Sequence, residues 1–121
     1  MLGTCRFLPD VLKPRGIEAD AGPVAQQIVV EQSDREIVPL LSNGASRAVW
    51  LDERLRGRPA EVRGWLHAGL PYLEVTNVRV EEQGMLRTPG YYCEICTITV
   101  RYPQACPCCQ GPLELRWEPR P

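Results

Sequence analysis

Apolar residues in the first two thirds of the chain recur largely at every second position, in short runs separated by Gly, Pro and Asn, which predicts short strands around one helix. Leu2 to Leu8 predicts a strand ending at Pro9, and Pro14 to Pro23 a loop. Val24 to Glu31, centred on Ile28-Val29-Val30, predicts a second strand, and the turn Gln32-Ser33-Asp34 leads into a third, Arg35 to Leu41. Pro39 lacks an N–H for the ladder, so this third strand belongs at an edge or a bulge. Ser42-Asn43-Gly44 breaks the pattern, and Ala48, Leu51 and Leu55 give Ala45 to Leu55 helical spacing, stopped by Gly57 and Pro59.

Alternation then returns. In Ala60 to His67, Val62, Gly64 and Leu66 face one way, while Glu61, Arg63, Trp65 and His67 face the other. After Ala68-Gly69, Leu70 to Val80 predicts a fifth strand. Its Leu73 and Val75 are out of phase with Val78 and Val80, which predicts a bulge near Thr76-Asn77. Residues 83–90, polar and containing Gly84, Pro89 and Gly90, read as a linker between a first domain, 1–82, and a second, 91–121.

The second domain carries Cys93-Glu94-Ile95-Cys96 and Cys106-Pro107-Cys108-Cys109. Two thiolates separated by two residues reach one ion from a single tight turn, and two such turns supply the four ligands of a closed tetrahedral Zn²⁺ shell. Each pair precedes an extended segment, Thr97 to Tyr102 and Pro112 to Trp117. This knuckle, strand, knuckle, strand layout resembles the zinc ribbon and its rubredoxin-like relatives over about residues 91–118. The resemblance assigns the ligands to Cys93, Cys96, Cys106 and Cys109. Cys108 is a fifth thiol able to exchange with Cys106 or Cys109; the separation of Cys106 and Cys109 copies that of Cys93 and Cys96. Thr97 and Gln110 stand where such knuckles often carry Gly, which predicts less regular turns. Iron in a rubredoxin-like site would use the same thiolates, and the missing glycines favour zinc.

The first domain's order of three strands, a helix and two strands resembles the OB-fold, a small five-stranded, partly open barrel. The fold class expected is therefore mainly β: an OB-like barrel with one helix, followed by a zinc ribbon.

Composition narrows the function classes. With 121 residues, of which 44% are hydrophobic, the chain holds one modest core plus a metal-stapled appendage. The formal net charge of −1 supplies no global field toward nucleic acid or anionic membrane. There is no apolar run of membrane-spanning length, so no membrane insertion is expected. Six cysteines suit metal binding in a reducing compartment, so a cytoplasmic location is expected, although a removed secretory signal would leave no trace. In an oxidising compartment they would suit disulfides, with Cys5 and Cys108 the odd pair.

Arg63, Trp65 and His67 on one strand face, near Tyr72 on the next, are the candidate binding surface. They could stack and neutralise a single-stranded nucleic acid, but could equally cover the barrel's outer face. In the ribbon Arg101, Arg116 and Arg120 balance Glu94, Glu114 and Glu118, and four thiolates on Zn²⁺ add a net −2. A protein partner is thus preferred to phosphate. Tyr91, Tyr92, Tyr102 and Trp117 are expected to shield the metal and pack the ribbon onto the barrel. His67 is the single histidine, and no phosphate loop, nucleophile elbow or dinucleotide fingerprint is present. The expectation is a non-enzyme acting as a binding or adaptor module; the other reading is an electron-transfer or thiol-redox protein with Cys108 as the reactive thiol.

Overall fold

The computed structural model describes residues 1–119 of the chain. Eight strands are joined into one antiparallel system: β1 (Leu2–Phe7), β2 (Ile28–Glu31), β3 (Ile37–Pro39), β4 (Pro59–Leu66), β5 (Leu73–Glu82), β6 (Met85–Cys93), β7 (Ile98–Val100) and β8 (Glu114–Glu118). Hydrogen bonding follows the order β3-β2-β1-β4-β5-β6-β7, with β8 on the other side of β6. The sheet is open and not a closed five-stranded barrel. One isolated parallel bridge, Leu40 to Leu73, connects the end of β3 to the start of β5.

Between β1 and β2 lie two short helices, α1 (Leu8–Leu12) and α2 (Ala21–Val24). The predicted strand Val24 to Glu31 is therefore shorter, because Val24 closes α2 and the ladder starts only at Ile28. β3 is an edge strand in which Pro39 pairs with Val29 at the end of the ladder, where its missing N–H costs least.

The predicted helix over 45–55 is two pieces, α3 (Arg47–Leu51) and a 3₁₀ turn at Glu53–Leu55. Asp52 interrupts it. Its backbone is extended (φ −120°, ψ 106°), and its carboxylate accepts the Arg54 N–H, a local bond that competes with helical pairing.

β4 and β5 pair from Ala60↔Val80 to Leu66↔Leu73. The register jumps from Arg63↔Asn77 to Gly64↔Val75, leaving Thr76 as the extra residue at the predicted bulge. Its hydroxyl donates to the Arg63 carbonyl at 3.2 Å. The bulge lets Leu73 and Val75 on one side and Val78 and Val80 on the other all enter the core. Gly64 is required here: a Cβ would sit 2.1 Å from the Glu74 carbonyl oxygen.

Residues 83–90, read as a linker, are instead a tight turn and most of β6. Gln83 and Gly84 adopt positive φ (52° and 79°), and Glu82↔Met85 closes the β5–β6 hairpin. Pro89 sits within β6 opposite Trp117 of β8, and local composition conceals this part of the strand because its partner β8 comes from a later segment. β6 then runs from the main sheet into the first knuckle. Tyr91 on β6 is fully buried in a cluster with Ile28, Leu40, Leu55, Val62 and Val80, and Val100, Tyr102, Leu115 and Trp117 pack against it. The cysteine-bearing segment thus shares the main core.

Candidate metal centre

β6 ends at Cys93, and the next four residues turn back into β7. In that turn the Cys93 carbonyl accepts from the Thr97 N–H at 2.8 Å, and the Cys96 N–H points at Cys93 Sγ at 3.4 Å. The loop between β7 and β8 repeats the device: the Cys106 carbonyl accepts from the Gln110 N–H at 2.7 Å. The Cys109 Sγ receives the Gly111 N–H at 3.4 Å. Thr97 and Gln110 both take left-handed backbone (φ 55° and 61°). The knuckles are therefore alike despite lacking glycine there. Each non-glycine residue in that region costs roughly 1–2 kcal/mol, which the surrounding bonds hold in place.

The Sγ atoms of Cys93, Cys96, Cys106 and Cys109 lie within 4.8 Å of one another, with Cys93 and Cys109 at 3.6 Å. Zinc–thiolate bonds of about 2.3 Å imply sulfur separations of about 3.8 Å in a regular tetrahedron. The four donors fit a tetrahedral thiolate ion of the zinc or iron class. Cys93 and Cys106 are buried, Cys96 is half-buried and Cys109 is exposed. Backbone N–H groups, that of Cys109 foremost, pull the Cys106 thiol down to about 6, so it is already disposed to be the thiolate a metal needs. The Cys96 thiol moves the other way, because hydrogen bonds with neighbouring sulfurs, Cys108 first, hold its proton in place.

All six cysteines are free. Cys108 is exposed and outside the mutually close set of four. Cys5 lies far from it in sequence and fully buried in the main core, where burial pushes its thiol up to about 12.

The four residues singled out as a binding surface lie around the β4–β5 hairpin. Trp65 is 65% exposed, and Arg63 and His67 are also exposed, whereas Tyr72 is half-buried. Leu66, expected on the opposite face with Val62, is exposed as well, although its cross-strand partner Leu73 is buried. Two cations share one carboxylate there, Arg63 Nε at 2.9 Å and Arg79 Nη2 at 2.7 Å from Glu61, and the His67 ring Nε2 lies 2.6 Å from Glu74.

Two arrangements were not legible in the sequence. Tyr91 donates its hydroxyl to Asp52 Oδ2 at 2.8 Å across 39 residues, and Arg54 holds both oxygens of the same carboxylate. Burial raises the Asp52 carboxyl, but the bonds from Arg54 and Tyr91 outweigh it and hold the group below the usual carboxylate range. The same burial, together with Asp52, pushes the Tyr91 phenol up. Near the first knuckle the Arg116 guanidinium lies 3.8 Å over the Tyr92 ring. It reaches Glu114 at 2.6 Å and Glu94 at 3.4 Å. Further cation–π pairs, Arg47 over Tyr102 and Arg58 over Trp117, cover the aromatic residues expected to pack the ribbon.

Among the described residues no helix is long and apolar enough to cross a membrane. No protein-family model, no curated protein and no solved structure matches the chain, so what it does is argued from its own geometry.

Proposed function

We propose that this chain is a non-catalytic zinc protein whose four-cysteine ribbon is fused to an OB-like sheet, acting as a binding or adaptor module for a protein partner. The carrying observation is the approach of four thiols to within 4.8 Å of one another. Four protein thiolates complete a tetrahedral shell, so no position remains for a substrate or an activated water. The OB-like reading is supported by the order β3-β2-β1-β4-β5 and by the parallel bridge Leu40↔Leu73 between its third and fifth strands. Zinc is preferred to iron because a structural role needs no redox partner.

A protein partner is preferred to single-stranded nucleic acid because the formal net charge is −1 and both arginines of the β4–β5 hairpin, Arg63 and Arg79, are held by Glu61. Trp65 then offers an aromatic anchor without free cations beside it.

Elemental analysis of protein purified without added metal tests the reading. One zinc per chain, colourless and redox-silent, is expected. A coloured iron centre or a reversible disulfide would replace it with the electron-transfer or thiol-redox reading. Capture of a protein partner by the zinc-loaded chain is expected, and a salt-dependent shift with short single-stranded DNA or RNA would transfer the proposal to nucleic acid.

A further inference from the structure

Ile95, at the tip of the first knuckle, is 80% exposed, more than any other large apolar side chain among the described residues. It borders a cleft of about 320 Å³ whose lining includes Tyr92, Glu94, Pro112, Leu113 and Glu114. The cleft opens at the start of β8, a strand whose single paired neighbour among the described residues is β6. Its walls come from the paired residues Tyr92 and Glu114 and the segments that follow and precede them, so it is an open cleft over the end of the β6–β8 pair, with an apolar side chain on each wall, Ile95 and Leu113.

The charges of the rim state what an occupant must carry. Glu94 and Glu114 are 75% and 54% exposed, and between them stands one cation, Arg116, itself seated on Tyr92. Two carboxylates against one guanidinium leave a negative excess, which four thiolates on a divalent ion would increase. The β4–β5 hairpin differs: there one carboxylate, Glu61, is shared by two cations, Arg63 and Arg79.

We propose that this cleft binds an extended segment of a partner protein bearing an apolar side chain flanked by lysine or arginine. The proposal rests on the reading of the chain as a protein-binding module and assigns its face and the partner's chemistry. Ile95 and Leu113 receive the apolar side chain, while Glu94 and Glu114 receive the flanking cations.

The probe is a synthetic peptide of alternating valine and lysine, titrated into the zinc-loaded, nitrogen-15-labelled full chain. Two controls replace all lysines by glutamate or all valines by serine. Expected are amide shifts at Glu94, Ile95 and 113–118, weakening as salt rises, with no binding of either control. Glu94→Lys and Ile95→Ser should each weaken binding about tenfold. Glu114→Lys, outside the knuckle, is the second charge variant, and zinc content is measured for all three. Equal binding of the serine peptide would overturn the apolar cleft. Shifts confined to 63–72 would overturn the assignment to this face and leave the binding-module reading standing. Absence of shifts at low salt with every peptide would overturn the inference, while partner capture by the full chain decides the module reading separately.

Discussion

Replacing Tyr91 by Phe removes one oxygen from the centre of the molecule and leaves the ring in place. That oxygen donates to Asp52 Oδ2 at 2.8 Å in a site sealed from solvent. Asp52 keeps three other bonds: Arg54 Nε and backbone N–H on Oδ1, at 2.9 and 3.0 Å, and Arg54 Nη2 on Oδ2 at 2.8 Å. The carboxylate would therefore be weakened but not orphaned, which puts the loss at the lower end of the range for a bond to a charged group, about 1.5–2 kcal/mol. For a domain of this size that corresponds to a fall of about 5–8 °C in Tm. The sign with pH is specific. Asp52 is held below its ordinary value when folded, so its contribution is complete above the unfolded carboxyl range, about pH 4, and is lost as pH falls through the lower folded value. The deficit of Tyr91→Phe should thus be full at neutral pH and shrink below about pH 4. Urea unfolding of the zinc-loaded protein at several pH values measures both. A neutral-pH deficit below about 0.5 kcal/mol, or one independent of pH, would refute the claim that this bond ties β6 to the α3 region.

Cys93→Ser or Cys106→Ser should abolish stoichiometric zinc and unfold residues 93–118, whereas Cys108→Ser and Cys5→Ser should retain one zinc; loss of zinc in Cys108→Ser would show the ligand register to be wrong. Gln110→Gly should stabilise the loaded protein by up to about 1 kcal/mol, since it relieves a left-handed backbone at an exposed position; a clear loss in thermal unfolding would mean that the side chain matters there. Gly64→Ala should destabilise by more than about 2 kcal/mol, because the new methyl meets the Glu74 carbonyl and not a side chain that could move; a neutral result in urea would contradict the close approach of β4 and β5.

The four-cysteine cluster was legible because its determinants are local. A Cys-x-x-Cys turn brings two sulfurs together within a few residues, and the two turns differ little in what they require. The Thr76 bulge was legible for a similar reason: the phase of Leu73 and Val75 against Val78 and Val80 is written along one strand. The short helix and the lost linker were not. Asp52 breaks the helix through its own carboxylate, and Tyr91, across 39 residues, adds a bond to the same group. β6 lies in a stretch of Gly, Pro and polar residues that gains strand character from pairing with β5, β8 and β7 in turn along its length.

By itself, then, the sequence determined the mainly β class, the bulge in β5, the restriction of β3 to an edge or a bulge, and the four thiols that come together, all set by periodicity, by proline or by spacing within a turn. Tertiary structure alone decided that the sheet is open, that β6 runs unbroken from the main core into the first knuckle, that Trp65 stands in solvent on a hairpin whose Arg63 and Arg79 share Glu61, and that Ile95 borders an acidic cleft. The physical reason is range. A residue's period and turn propensity act over a few neighbours, whereas burial, pairing and net local charge depend on which distant segment arrives beside it.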